Sequence, residues 1–132
     1  MIKAHAARGD ELASRGDFSG ALHAYNDGWR LLPDPKEDWD AATWLLGSIA
    51  DVSFQAGWYT NARRALDFVM YCPNAIGNPF LHLRRGQVLF EQGEYDGAAD
   101  ELIRAYMGGG PEIFESDDPK YLAFLRTRAI LP

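Results

Sequence analysis

The 132-residue chain is predicted to be all-α, a solenoid of three antiparallel helix pairs with a capping helix after them. Two observations predict it. Apolar and small residues recur at helical spacing through most of the chain. Three short glycine turns, RGDF at 15–18, AGWY at 56–59 and QGEY at 92–95, each join two such stretches. The surroundings of the turn glycines Gly16, Gly57 and Gly93 are in register: Gly9, Ala50 and Gly86 stand seven residues before, Phe18, Tyr59 and Tyr95 two after, Ala21, Ala62 and Ala98 five after, and Gly28, Val69 and Ala105 twelve after. Small residues at matched places let paired helices approach closely. A lone hairpin cannot bury both of its apolar sides, so copies are expected to pack side by side.

Each element follows from local signals. The first helix spans 2–15, with Ile2, Ala6, Gly9, Leu12 and Ala13 as its inward stripe, and its partner spans 18–31. Pro33 and Pro35 stop that partner, because proline cannot continue an interior helix. The connection PDPKEDWD (33–40) is acidic and carries Trp39, which reads either as cover for a core edge or as an exposed anchor. The second pair spans 41–56 and 59–71. The next connection, 74–78, leads to Pro79, suited to a first helical turn where its missing N–H costs nothing. The third pair spans 79–92 and 95–107. Gly108, Gly109, Gly110 and Pro111 then read as a helix exit and a flexible corner. Asp117 or Asp118 is a good N-cap and Pro119 a good first residue for a last helix over 119–129. Its apolar stripe of Tyr121, Leu122, Phe124, Leu125 and Ala129 should cap the third pair.

The order of signature positions resembles the tetratricopeptide repeat, W…LG…Y…A…F…A…P with a period of about 34 residues. Three tandem units, about 2–33, 41–73 and 79–110, carry the resemblance within a single domain covering 1–132. Their turn glycines lie 41 and 36 residues apart. The tryptophan place is held by His5, Leu46 and His82, and the following leucine place by Arg8, Ile49 and Arg85. The resemblance implies that the first helix of each pair lines a concave groove where an extended peptide or a helix binds. Groove positions would be Lys3, Ala6, Asp10 and Ala13, then Trp44, Gly47, Asp51 and Phe54, then Phe80, Leu83, Gln87 and Phe90, with Arg84 and Glu91 at the rim. The partner-binding set expected on this basis is Asp10, Trp44, Asp51, Phe54, Phe80, Leu83, Arg84, Gln87 and Phe90. The family's clamp for a C-terminal carboxylate uses Lys and Asn. Asp10, Asp51 and Gln87 stand at the comparable places, with Ala6, Gly47 and Leu83 one turn earlier, so that clamp is not expected.

Composition narrows the function classes. Hydrophobic content of 47% and charged content of 24% suit a soluble globular domain. Nineteen acids against thirteen bases give a net charge of −6, without the basic face that nucleic acid demands. No apolar run approaches the ~20 residues that span a bilayer. No secretory signal is visible, and Cys72 is the single cysteine, so a cytoplasmic, bacterial setting is expected. Cys72, just before Pro73, reads as packing. No cofactor or metal is expected: the histidines form no His-Glu-x-x-His and no serine sits in Gly-x-Ser-x-Gly. His5 and His82 read as packing residues and His23 as outward-facing.

The expected function is therefore a non-enzymatic module that binds another protein or peptide, a basic one suiting its acidic surface, through an aromatic groove with Asp10 and Asp51 beside it. Two narrower alternatives stand beside it. One is an immunity-type inhibitor that covers the basic cleft of a bacterial toxin with the acidic segments 34–40 and 112–118. The other is a self-associating subunit, a homodimer for instance, whose groove is covered by its own Trp39 connection or by a second copy.

Overall fold

A computed structural model describes all of residues 1–132. It contains seven α-helices, two short 3-10 helices and no strand. The helices are α1 (Ile2–Ser14), α2 (Phe18–Arg30), α3 (Asp40–Gln55), α4 (Tyr59–Val69), α5 (Pro79–Glu91), α6 (Tyr95–Gly109) and α7 (Lys120–Arg128). The 3-10 helices are Lys36–Asp38 and Pro111–Phe114. The chain divides into two compact units, Met1–Ala75 and Ile76–Pro132. Consecutive helices pair: α1 with α2, α3 with α4, α5 with α6.

The three turns are built alike. Gly16, Gly57 and Gly93 have φ of 78°, 80° and 78°, the left-handed region where only glycine lacks a steric penalty. Each preceding helix closes with a six-to-one bond, Asp17 N–H to Leu12 O at 3.0 Å, Trp58 to Ser53 at 2.8 Å and Glu94 to Leu89 at 2.9 Å. A second bond, from the glycine N–H to the carbonyl three residues back, completes the Schellman motif, which satisfies carbonyls the helix end would leave unpaired. The small residues work as the register predicts. Ala21, Ala62 and Ala98 are wholly buried. A Cβ on Gly9 would run into the Tyr25 ring, and one on Gly86 would meet Leu102 Cγ at 2.7 Å.

In the first unit α2 also packs on α3, and α1 touches α3. Asp17 caps α2 by accepting from Gly20 N–H at 2.9 Å. The 31–39 connection folds back on the end of that helix. Lys36 Nζ donates to Leu32 O at 2.6 Å and Trp29 O at 3.3 Å, placing a cation at the negative end of the helix dipole. The Asp34–Pro35 bond is cis. Trp39 donates from its indole to Pro33 O at 2.9 Å yet remains 45% exposed. It therefore secures its own connection and leaves much of its ring in solvent.

In the second unit Asn78 caps α5, accepting from Phe80 and Leu81 N–H at 3.0 and 3.3 Å, with Pro79 in the first turn. One expectation is corrected. Gly108 and Gly109 are not a flexible corner but the last residues of α6, lying against Pro79. A Cβ at either would meet the Pro79 ring at 2.9 or 3.2 Å. Only Gly110, with φ 74°, makes the exit. Asp118 Oδ1 accepts from Lys120 N–H at 2.9 Å and so starts α7, which packs on α6.

Candidate functional site

In the first unit the expected groove residues lie on α1 and α3. Asp51 and Phe54 lie seven and ten residues after Trp44 on α3, close to one face with it. Trp44 remains 39% exposed. Phe54 lies half-buried against Tyr59, ring centres 6.0 Å apart. Asp51 Oδ2 accepts from Gln55 at 2.9 Å. Across from them, on α1, Asp10 accepts a 2.6 Å hydrogen bond from the hydroxyl of Tyr25.

Tyr25 ties these elements together. It is 2% exposed and fills the space left by Gly9. Its phenol is pushed well above the ordinary tyrosine value, first by burial and then by the hydrogen bond and charge of Asp10. The Asp51 carboxylate adds to this, while a hydrogen bond with Ser48 works the other way. Two carboxylates, one from α1 and one from α3, thus act on a single neutral hydroxyl. Asp10 is exposed and Asp51 half-buried. Trp44 stands on the same helix as Asp51.

The second unit corrects the expectation of an open apolar wall on α5. Phe80 stays 40% exposed, with the Arg84 guanidinium 5.0 Å from its ring centre. The other members are taken up inside the unit. Leu83 is 1% and Gln87 0% exposed. Arg84, expected at the rim, has an 11% exposed side chain and donates to Gln87 Oε1 at 2.6 Å and to Asp117 at 3.2 and 3.3 Å. Gln87 donates in turn to Asp117 Oδ2 at 3.0 Å. Phe90 is ringed by Tyr95, Tyr121 and Phe124, with centres 5.5, 5.5 and 5.0 Å away. Glu91, also expected at the rim, accepts from the Tyr121 hydroxyl at 2.9 Å and pairs with Lys120 at 2.5 Å.

The physical reason is the segment after α6. It lays Asp117, Tyr121 and Phe124 over the stripe expected to face a ligand. Part of the second acidic segment is spent in this way, since Asp117 is only 15% exposed. By sequence either Asp117 or Asp118 suits the helix cap; Asp118 takes that place and Asp117 turns to Arg84 and Gln87. A signal was present in Arg84 and Gln87: polar groups on an otherwise apolar stripe need a buried partner.

The remaining polar side chains of interest are structural. His82 is 4% exposed; its Nε2 accepts from Gly77 N–H at 2.9 Å, so its Nδ1 carries the hydrogen and donates to Glu101 at 2.6 Å. Arg85 donates to the other Glu101 oxygen at 3.0 Å. This closed network anchors the start of α5 to α6. Cys72 is buried, and that burial, with the charge of Glu37, pushes its thiol up. No group of three or more His, Cys, Asp or Glu side chains is placed to hold a metal ion, and no helix is long and apolar enough to cross a membrane. Compared with known proteins, the chain matches no family model and no curated protein.

Proposed function

We propose that this chain is a tetratricopeptide-type, non-catalytic module that binds a partner protein through the α1/α3 face of its first unit. Three pairs joined by glycine turns of the same backbone form, with small residues at matched positions, support the repeat reading. The observation that carries the binding reading is Trp44, 39% exposed on the helix that also bears Asp51. Nothing in the folding of α3 requires a large aromatic side chain left in water. The occupant is an apolar segment with a Lys or Arg beside it: the apolar part covers Trp44 and the cation meets Asp10 and Asp51. Trp at the centre of such a contact contributes about 2 kcal/mol or more, roughly 30-fold in affinity. Inhibition of a basic partner surface is a narrower form of the same proposal and would add the exposed acids of the 33–40 connection.

The test is co-purification from the native cells with mass spectrometry, using the wild-type chain, Trp44→Ala and Asp51→Asn. The expected result is a protein partner captured by wild type and lost from both variants, each of which keeps wild-type helicity. Equal capture by all three would overturn the assignment of this face. A strictly concentration-dependent dimer in light scattering that Trp44→Ala abolishes would replace the external partner with a second copy.

A further inference from the structure

The first unit has an open cleft of about 330 Å3 lined from α2, α3 and α4. Its floor is Leu46, Ile49 and Ala65, each 6–7% exposed. Its walls are Trp29 and Phe68, packed edge to face with ring centres 5.7 Å apart. Phe68 is 39% exposed, a large apolar group on an outer helix with no internal reason to face water. On α3, Leu46 and Ile49 lie roughly half a helical turn around from Trp44, so this cleft and the face proposed above are on different sides of that helix and stand or fall separately.

Charge tells what the cleft accepts. No acid lines it, although the chain carries a net charge of −6. Its polar groups are Asn26, Asn61 and Arg64. Asn61 donates to Ser53 Oγ at 2.9 Å. Arg63 is engaged with Asp67, whereas Arg64 and Asn26 make no ion pair or hydrogen bond through their side chains. A free guanidinium beside carboxamide donors is suited to a carboxylate, which it can hold through two parallel hydrogen bonds. The apolar floor and walls would not suit a fully hydrated anion. The volume is at the small end of the ~300–1,000 Å3 range of ligand sites, enough for one or two side chains of a peptide.

We propose that this cleft docks a short acidic segment of a partner protein, a large apolar side chain seating on Trp29 and Phe68 while the neighbouring carboxylate pairs with Arg64.

The full chain, labelled with 15N, is titrated with a panel of capped hexapeptides of the form Ser-Glu-x-x-Glu-Ser, the central pair drawn from Leu, Phe, Met and Trp. Two control sets replace Glu by Lys, or the central pair by Ser. The expected result is that at least one acidic apolar peptide shifts the Trp29 indole N–H and the Asn26 and Asn61 side-chain amides, with the Trp44 indole unmoved. Arg64→Glu should weaken that binding at least tenfold and Arg64→Lys by less, both with an otherwise native amide spectrum, since Arg64 is exposed. Silence from the whole panel at millimolar peptide would overturn the proposal. So would equal response to the Lys peptides, shifts centred on Trp44, or affinity unchanged in Arg64→Glu.

Discussion

Replacing Asp117 by Ala tests how the segment after α6 is held over α5. Its carboxylate is the acceptor for Arg84 at 3.2 and 3.3 Å and for Gln87 at 3.0 Å. The three side chains are enclosed, with Arg84 11%, Asp117 15% and Gln87 0% exposed. Removing one partner of a buried ion pair costs about 3–5 kcal/mol, because the other charge stays desolvated. Arg84 retains the Gln87 carbonyl oxygen at 2.6 Å and the Phe80 ring, so the low end applies, about 3 kcal/mol. Asp117→Asn keeps one acceptor oxygen and should lose about 1.5 kcal/mol. Amide hydrogen exchange reads the effect where it occurs. A loss of about 3 kcal/mol corresponds to roughly a hundredfold faster exchange in Lys120–Arg128, with α1 and α2 unaffected. Protection of α7 within threefold of wild type in Asp117→Ala would refute the reasoning, and Phe90 packing alone would then hold the segment.

Other perturbations probe other joints. Gly86→Ala would stabilise an exposed helix by about 1 kcal/mol, but its Cβ would meet Leu102 Cγ at 2.7 Å, so thermal melting should show a net loss of about 1–3 kcal/mol; a rise in melting temperature would mean the pair can spread freely. His82→Ala strands Gly77 N–H and Glu101 and should cost about 3 kcal/mol in urea unfolding, with His82→Gln costing less; equal stability of His82→Ala and wild type would remove the network's role. Tyr25→Phe should cost about 1 kcal/mol at neutral pH, since the exposed Asp10 regains water. The raised phenol of Tyr25 has a defined sign: its stabilisation is complete below the ordinary tyrosine value near 10 and is lost as pH climbs above it. Alkaline unfolding curves should therefore flatten above pH 10 in Tyr25→Phe, and identical slopes would contradict the placement of Tyr25 between Asp10 and Asp51.

What the chain's own letters determined was short-range. Turn glycines, capping residues and the small-residue register act within a helix or between neighbours, and their steric demands repeat at fixed spacing, so RGDF, AGWY and QGEY were sufficient to locate three helix pairs. Tertiary structure decided which apolar stripes stay open. Phe54 and Phe90 both stand three residues before a turn glycine and both are half-buried, yet the rings packed on Phe90 include Tyr121 and Phe124, from more than thirty residues on. The same holds for Asp117, whose partners on α5 lie 30 and 33 residues away, and for Gly108, whose neighbour Pro79 is at the far end of the paired helix. Periodicity tells which face of a helix is apolar. Whether solvent or another part of the chain covers that face depends on long-range contacts that leave no periodic trace.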